Sequence, residues 1–571
     1  MRRPRTSPLL AWYALAAVLA VFTYFYGLDS LHIPKNGDEY PYAHITRLTA
    51  AGGEWLPLRS ELAEMRNTKP PLLFWQGIAS TRWAAEWTLA NLRYPSVLYT
   101  LLTAALAGLL AARLSRRPET GLLAGVAFLA FLSTYRYGRP FLTDPPEVFW
   151  LFAPFCLLLY FSPASFRSRL AVPALVGIAT GIGLLYKSFA LVVPVGLGLA
   201  WWYLHAREYR WAEFLARDAW RVALAGALAL AVFGLWLVVD PDPGAIWREF
   251  VVQENVGKLG AGGNYIGKLL WGGSSIWSLA LGYPLNAGVL APPVLGLAFV
   301  LWRGRREMTD GEKLLGIWIV VLFLVFAAPS QRSSRYLLPA MPALAILLAL
   351  YWDRIGRGLF VASLALTLLA AALAVYFSLQ LQPLAGSEPR SWAYWALLVL
   401  AAAVAAGGIA VRRFTRAAAP VAAVAAFLVF AATMRTLDGA PGQYPLEARE
   451  RARGASVGVP YNWNAKFERY RFLLPGADIA GYRDDRGTPL AELRDRYPVL
   501  AVQVPVSGKP PCDDCRVIGS RLDLRSRPSS EVSREAILGG AIDGLLVREY
   551  LIEARGASAA ALRGGAAAPP R

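Results

Sequence analysis

Four groups of residues place ionisable side chains where the chain leaves or enters long apolar segments. They are Gly37-Asp38-Glu39-Tyr40-Pro41-Tyr42, Asn67-Thr68-Lys69-Pro70-Pro71, Arg136-Tyr137-Gly138-Arg139-Pro140-Phe141-Leu142-Thr143-Asp144-Pro145-Pro146, and Pro329-Ser330-Gln331-Arg332-Ser333-Ser334-Arg335-Tyr336-Leu337-Leu338-Pro339. Lys187 stands alone in a tight turn between two apolar runs. Charges at such positions need a reason, because desolvating them costs several kcal/mol unless they are paired or hydrated. Asp38 or Glu39 could serve as a general base towards a hydroxyl, fixed by the helix terminus that follows. The competing reading makes Asp38 that helix's N-cap, with Glu39 favoured in its first turn by the helix dipole. Lys69, Arg139, Lys187, Arg332 and Arg335 could together bind a phosphate through charge-assisted hydrogen bonds. For Lys69, Arg139 and Lys187 the alternative is simple snorkelling to lipid headgroups. Asp144 adds an acid to this set, and Tyr42 and Tyr336 are candidate pocket residues. Read as sequence, cations outnumber acids in the four groups, which favours an anionic ligand such as a lipid phosphate.

The elements that must bring these residues together are membrane spans. Of 571 residues, 56% are hydrophobic and 17% charged, with 20 Trp and a mean hydropathy of +0.39. A water-soluble protein could not hide that much apolar surface, and a disordered one would not carry it. Three cysteines and the absence of a glycine period or sustained heptads exclude disulfide-scaffold, collagen-like and coiled-coil classes. About 20 apolar residues cross a bilayer as a helix. Windows of that kind centre on 9–28, 95–113, 119–136, 147–162, 169–186, 188–205, 220–239, 276–302, 313–328, 335–352, 357–378, 392–411 and 418–434, about thirteen spans. The first follows Arg2, Arg3 and Arg5 but lacks a small-residue cleavage site, and is read as a retained helix. A net charge of +19 would suggest nucleic acid in a soluble protein. Here the basic residues fall after the even-numbered spans, from Arg113, Arg116 and Arg117 to Arg412, Arg413 and Arg416, as the positive-inside rule requires. No nucleic-acid partner is expected. The amino terminus is predicted inside, in a bacterial inner membrane. The four charged groups and the carboxyl-terminal part then lie outside, in the periplasm.

Residues 29–94 form a long first external loop, in which Tyr42, Ile45, Leu48 and Thr49 recur at helical spacing and predict an amphipathic helix along the interface. Residues 240–275 form another long loop. From 440 to 556 the composition becomes that of a small α/β domain. Val499–Val506 reads as a strand and Ala465–Leu474 and Pro489–Tyr497 as helices. The Ala/Gly/Pro-rich 557–571 reads as a disordered tail. Cys156 belongs to packing, Cys512 and Cys515 suit a local disulfide, and His32, His44 and His205 are too few for a His-rich metal centre.

The ordered set Asp38-Glu39, Lys69-Pro70-Pro71, Arg93-Tyr94-Pro95-Ser96, Thr143-Asp144-Pro145 and Arg335-Tyr336-Leu337-Leu338-Pro339 resembles the GT-C membrane glycosyltransferases of the protein O-mannosyltransferase and aminoarabinose transferase superfamily. The resemblance covers roughly residues 1–435 and continues in topology into the external domain. It implies a mainly α, polytopic GT-C fold with an extracytoplasmic α/β domain. It also implies a sugar donor carried on a polyprenyl phosphate and no nucleotide cofactor. By similarity Asp38 matches the catalytic acid of the first loop and Lys69 the lysine that meets the lipid phosphate. Asp144 matches a second acid in the site and Lys187 a further basic position. The implied reaction inverts the anomeric centre, with Asp38 taking the acceptor proton and the cations stabilising the departing phosphate. The acceptor is expected to be a lipid A-like or other envelope glycolipid, with a protein Ser/Thr as the alternative. A lipid or sugar transporter is a different class, and the chain shows no internal repeat to support it. The sequence departs from the aminoarabinose-transferase pattern at Pro41, where that subgroup has Arg, at Thr68, where it has Glu, and at Asn255, where it has His. The last two changes remove two metal ligands, so no metal is expected and transfer should survive chelation. Inactivation by EDTA reversed by a divalent ion would refute that expectation.

Overall fold

A computed structural model of the chain describes residues 8–33, 37–62, 65–161, 168–256, 265–385, 389–461, 465–484, 487–525 and 530–553. The expectation for 557–571 lies outside them. Among the described residues seven helices are long and apolar enough to cross a membrane, and four shorter apolar helices accompany them, Leu9–Phe25, Pro118–Leu129, Ala171–Leu184 and Ser334–Leu350. Asp144–Phe161 and Asp310–Ala327 fill the two remaining predicted positions. Each predicted span therefore has its helix, and the protein is a multi-pass membrane protein.

Small residues bring the helices close, as packing in lipid demands. A Cβ on Gly177 would lie 2.7 Å from the Ala225 carbonyl oxygen, and one on Gly181 would lie 2.6 Å from Val232 Cβ, so helix Ala171–Leu184 packs directly on Ala219–Val239. The first helices are α1 (Pro8–Phe25), α2 (Glu39–Ala51), α3 (Leu72–Ser80), α4 (Leu89–Ser115), α5 (Pro118–Leu129), α6 (Leu132–Gly138) and α7 (Asp144–Phe161). Helix α4 starts six residues before its predicted span, with Thr88 accepting a hydrogen bond from the Asn91 amide as N-cap. Arg93 therefore sits inside the helix, buried, and not ahead of it.

Beyond the spans lies a five-stranded sheet in the order β2-β1-β3-β5-β4. Its strands are β1 (Ser456–Tyr461), β2 (Asp478–Arg483), β3 (Val499–Pro505), β4 (Arg516–Leu524) and β5 (Leu546–Glu553). Strand β1 pairs in parallel with β2 and β3, and β5 pairs antiparallel with β3 and β4. Cys512 and Cys515 form a disulfide in the β3–β4 connection.

Helix α2 is not the surface-lying amphipathic helix its spacing suggests. Tyr42, Ala43 and Ile45 pack with Leu73, Phe74, Leu92 and Phe141 on the membrane side. Tyr40 joins the sheet core of Val457, Phe467, Tyr470 and Val499 on the other side. The sheet domain covers the face that would have met water, so ten of the thirteen residues of α2 are buried.

Candidate active site

Three of the four sequence groups meet at one place. Arg335, in the 3-10 turn Ser334–Ala340 that enters the helix from Met341, grips Asp144 with both arms of its guanidinium, Nε to Oδ1 at 3.0 Å and Nη2 to Oδ2 at 2.6 Å. Its remaining nitrogen, Nη1, donates to Asp38 Oδ2 at 2.5 Å. The Asp38 carboxylate therefore serves Arg335 and makes no cap bond to α2, although it stands at the N-cap position. Tyr137 lies under the same guanidinium, 5.0 Å from ring centre to charge. Lys187 donates to Asp144 at 3.1 Å and to Glu147 at 2.5 Å. Burial works against the charge on Lys187, but the two carboxylates outweigh it and hold the ammonium above the ordinary lysine range, so it is a fixed cation at neutral pH.

Glu147, which the sequence reading does not single out, is brought into the cluster by the structure. Its signal is the three-residue spacing from Asp144, which puts both carboxylates on one face of the first turn of α7. Lys69 pairs with Glu254 at 2.6 Å. This pair is tied to the cluster through its chain neighbours, since the hydroxyl of Ser188, next to Lys187, donates to Asn255, next to Glu254, at 2.7 Å. For the buried Tyr42 phenol, burial first, then Asp38, pushes the pKa well up and keeps it neutral. Tyr336 stands next to Arg335, half-buried, with its ring stacked on Phe326 at 5.3 Å.

Three candidates are engaged elsewhere. Glu39 is fully buried and takes both Nε and Nη2 of Arg93 at 2.6 Å, together with the Phe141 amide at 2.8 Å. Arg139, also fully buried, donates to the carbonyls of Tyr24 at 3.0 Å, Tyr26 at 2.6 Å and Ile33 at 3.2 Å, and to the Tyr135 hydroxyl at 2.8 Å. It satisfies carbonyls left open where α1 ends. Arg332 donates to the carbonyls of Ala327 at 2.7 Å and Ser274 at 3.0 Å and lies over the Tyr265 ring.

With those arginines placed elsewhere and Glu147 and Glu254 added, the local balance differs from the cation surplus read from sequence. Asp38, Asp144, Glu147 and Glu254 face Lys69, Lys187 and Arg335. Exposure separates the carboxylates: the Asp38 side chain is 38% accessible and Glu254 27%, against 1% for Asp144 and Glu147. Asn255 accepts from the Ser188 hydroxyl at 2.7 Å and donates to the Phe250 carbonyl at 2.8 Å. Among the described residues no group of three or more His, Cys, Asp or Glu could hold a metal ion.

Residues 10–247 match the family described as dolichyl-phosphate-mannose-protein mannosyltransferase. The undecaprenyl phosphate-alpha-4-amino-4-deoxy-L-arabinose arabinosyl transferase 1 of Sodalis glossinidius is 29% identical over 412 residues, covering 69% of this chain and 70% of that protein. The transferase of the same description from Pseudomonas aeruginosa UCBPP-PA14 is 30% identical over 384 residues, covering 65% and 66%. Against that of Edwardsiella ictaluri the match spans 60% of the relative's length. Among solved structures, ArnT from Cupriavidus metallidurans bound to undecaprenyl phosphate shares the fold with a TM-score of 0.62 at 18% identity, over 95% of this chain and 98% of that one. The spans, the ordered charged motifs, the family match and the shared fold lead to one assignment: the chain belongs to the GT-C membrane glycosyltransferases, in the superfamily of the protein O-mannosyltransferases and aminoarabinose transferases.

Proposed function

We propose that the chain is an inverting glycosyltransferase that moves a sugar from a polyprenyl-phosphate donor to a lipid A-like or other envelope glycolipid at the outer face of the inner membrane, with its amino terminus in the cytoplasm. One observation carries the assignment of roles. Of the three carboxylates tied into the Arg335–Lys187 cluster, Asp38 is the accessible one. Asp38 takes the proton of the acceptor hydroxyl as its oxygen attacks the anomeric carbon, and the bond from that carbon to the phosphate oxygen breaks. The leaving phosphate keeps the bonding pair, and Lys69 and Arg335 stabilise the charge that collects on it. Asp144, buried beneath, fixes the plane and direction of the Arg335 guanidinium. Glu39 supports the position of Asp38 through Arg93 and does not touch substrate.

A lipid phosphate that engages Lys69 exchanges with the Glu254 carboxylate. Lys69→Ala is therefore expected to raise the donor KM by roughly 10–100-fold, the worth of one charged hydrogen bond of about 1.5–3 kcal/mol, with little change in acceptor KM. Glu254→Gln should shift donor KM the other way. Equal effects on both substrates would count against the phosphate role.

A sugar that carries an ammonium group is supported by the donor named for the sequence relatives. The amino-terminal match to protein mannosyltransferases supports the second reading, a protein Ser/Thr acceptor. Transfer assays with the purified protein decide between them. Undecaprenyl-phosphate 4-amino-4-deoxy-L-arabinose and a polyprenyl-phosphate mannose should each be offered with a lipid A-like glycolipid and with a Ser/Thr peptide. Absence of transfer from every polyprenyl-phosphate sugar would overturn the proposal.

A further inference from the structure

We infer that the external sheet domain is a positioning element of the active site and that Glu468 is the residue through which it acts on Asp38. Glu468 lies in the 3-10 turn Lys466–Arg469 between β1 and β2 and is fully buried. Its carboxylate takes His44 Nδ1 at 3.0 Å, Arg47 Nε at 2.6 Å and Arg47 Nη2 at 3.2 Å, all from α2, and Arg471 Nε at 3.3 Å from its own domain. The Glu61 amide donates to His44 Nε2 at 3.2 Å, which puts the ring proton on Nδ1, pointing at Glu468. Burial alone would raise the Glu468 pKa, but the His44 hydrogen bond and Arg47 dominate and hold it at about 2. The carboxylate is therefore ionised throughout the neutral range.

A buried charge is tolerated only with its partners, and most of these come from the helix that Asp38 precedes. Two further contacts flank Asp38 itself. The Lys466 side chain lies beside Gly37, with its Cε 3.8 Å from where a Cβ would stand, and Tyr40 is inserted into the sheet core. The Trp87 ring, just ahead of α4, stacks on Phe472 at 5.9 Å. The sheet domain thus touches the chain at residue 37 and grips α2 at residues 40, 44 and 47, on both sides of the general base in sequence. Lys69, by contrast, is held by Glu254 of the second external loop. Loosening the Glu468 contact should therefore disturb proton transfer and leave donor capture intact. A displacement near 1 Å is enough to lower a rate about 100-fold.

This inference rests on Asp38 being the base, and the test separates the two. Full-length Glu468→Ala, Glu468→Asp, Arg47→Ala and Asp38→Asn would be compared in detergent. Transfer is measured from undecaprenyl-phosphate 4-amino-4-deoxy-L-arabinose to a lipid A-like glycolipid, and hydrogen exchange is followed over residues 38–51. Glu468→Ala and Arg47→Ala are expected to lower kcat about 10–100-fold with donor KM within about two-fold. Faster exchange in α2 should accompany this, and Glu468→Asp should recover part of the rate. Arg47→Ala tests the same contact from the membrane side should Glu468→Ala not fold. An unchanged kcat in folded variants, a loss confined to donor KM, or unaltered exchange in α2 would overturn the inference. Full transfer by Asp38→Asn would remove the base assignment alone, and the exchange data would still show whether the domain holds the helix.

Discussion

Asp38→Asn is expected to lower kcat by about 10²–10⁴-fold, the contribution of a positioned general base, while the protein stays folded. The amide keeps an oxygen for Arg335 Nη1, which Asp38 Oδ2 accepts at 2.5 Å, so the local geometry can persist. What it loses is the capacity to take a proton. The side chain is partly accessible and makes no helix-capping bond, so stability should change little. Kinetics and a thermal melt on the same preparation check both halves. A folded Asp38→Asn with undiminished kcat would remove Asp38 from the chemistry.

Arg93→Ala should fail in the opposite manner, through loss of the fold. Arg93 is 1% exposed and makes a two-pronged pair with Glu39, which is fully buried. Its Nη1 also holds the carbonyls of Leu28 at 3.0 Å and Ser30 at 2.5 Å, where the chain leaves α1. Truncation leaves a buried carboxylate with only the Phe141 amide, and breaking such a pair costs about 3–5 kcal/mol. A large fall in the melting temperature and in the yield of monodisperse protein is expected. The double variant Glu39→Leu/Arg93→Leu should be less destabilised than Arg93→Ala, because no charge is left stranded. A double variant at least as unstable as the single one would show that packing, and not the ion pair, holds this junction.

The contrast between Asp38 and Glu39 shows what the sequence could and could not convey. Hydropathy located the apolar helices, long and short, because a bilayer imposes one chemistry on every segment it surrounds. Strand β3 and the helix Leu490–Arg496 were legible from period and punctuation for similar local reasons. The charged groups were legible as anomalies, and Asp38, Asp144, Lys187 and Arg335 do converge. Charge type alone could not tell an arginine aimed at another side chain from one that closes open carbonyls. The carbonyl acceptors of Arg139 lie more than a hundred residues away, at and just beyond the end of α1, and those of Arg332 are carbonyls, which every residue carries. Adjacent residues such as Asp38 and Glu39 point to different surroundings, which depend on what packs on each side of α2. The sheet domain supplies one of those sides, and no local pattern in α2 announces it.

The separations along the chain between partners of Asp144 bear on biogenesis. Lys187 is synthesised 43 residues after Asp144, whereas Arg335 arrives 191 residues after it and 297 after Asp38. A nascent chain threading into the bilayer can neutralise Asp144 early through Lys187, and it holds Asp38 without its guanidinium until the tenth span enters. Reactive geometry is thereby deferred until insertion is nearly complete, so stalled fragments should be incapable of consuming the lipid-linked sugar pool.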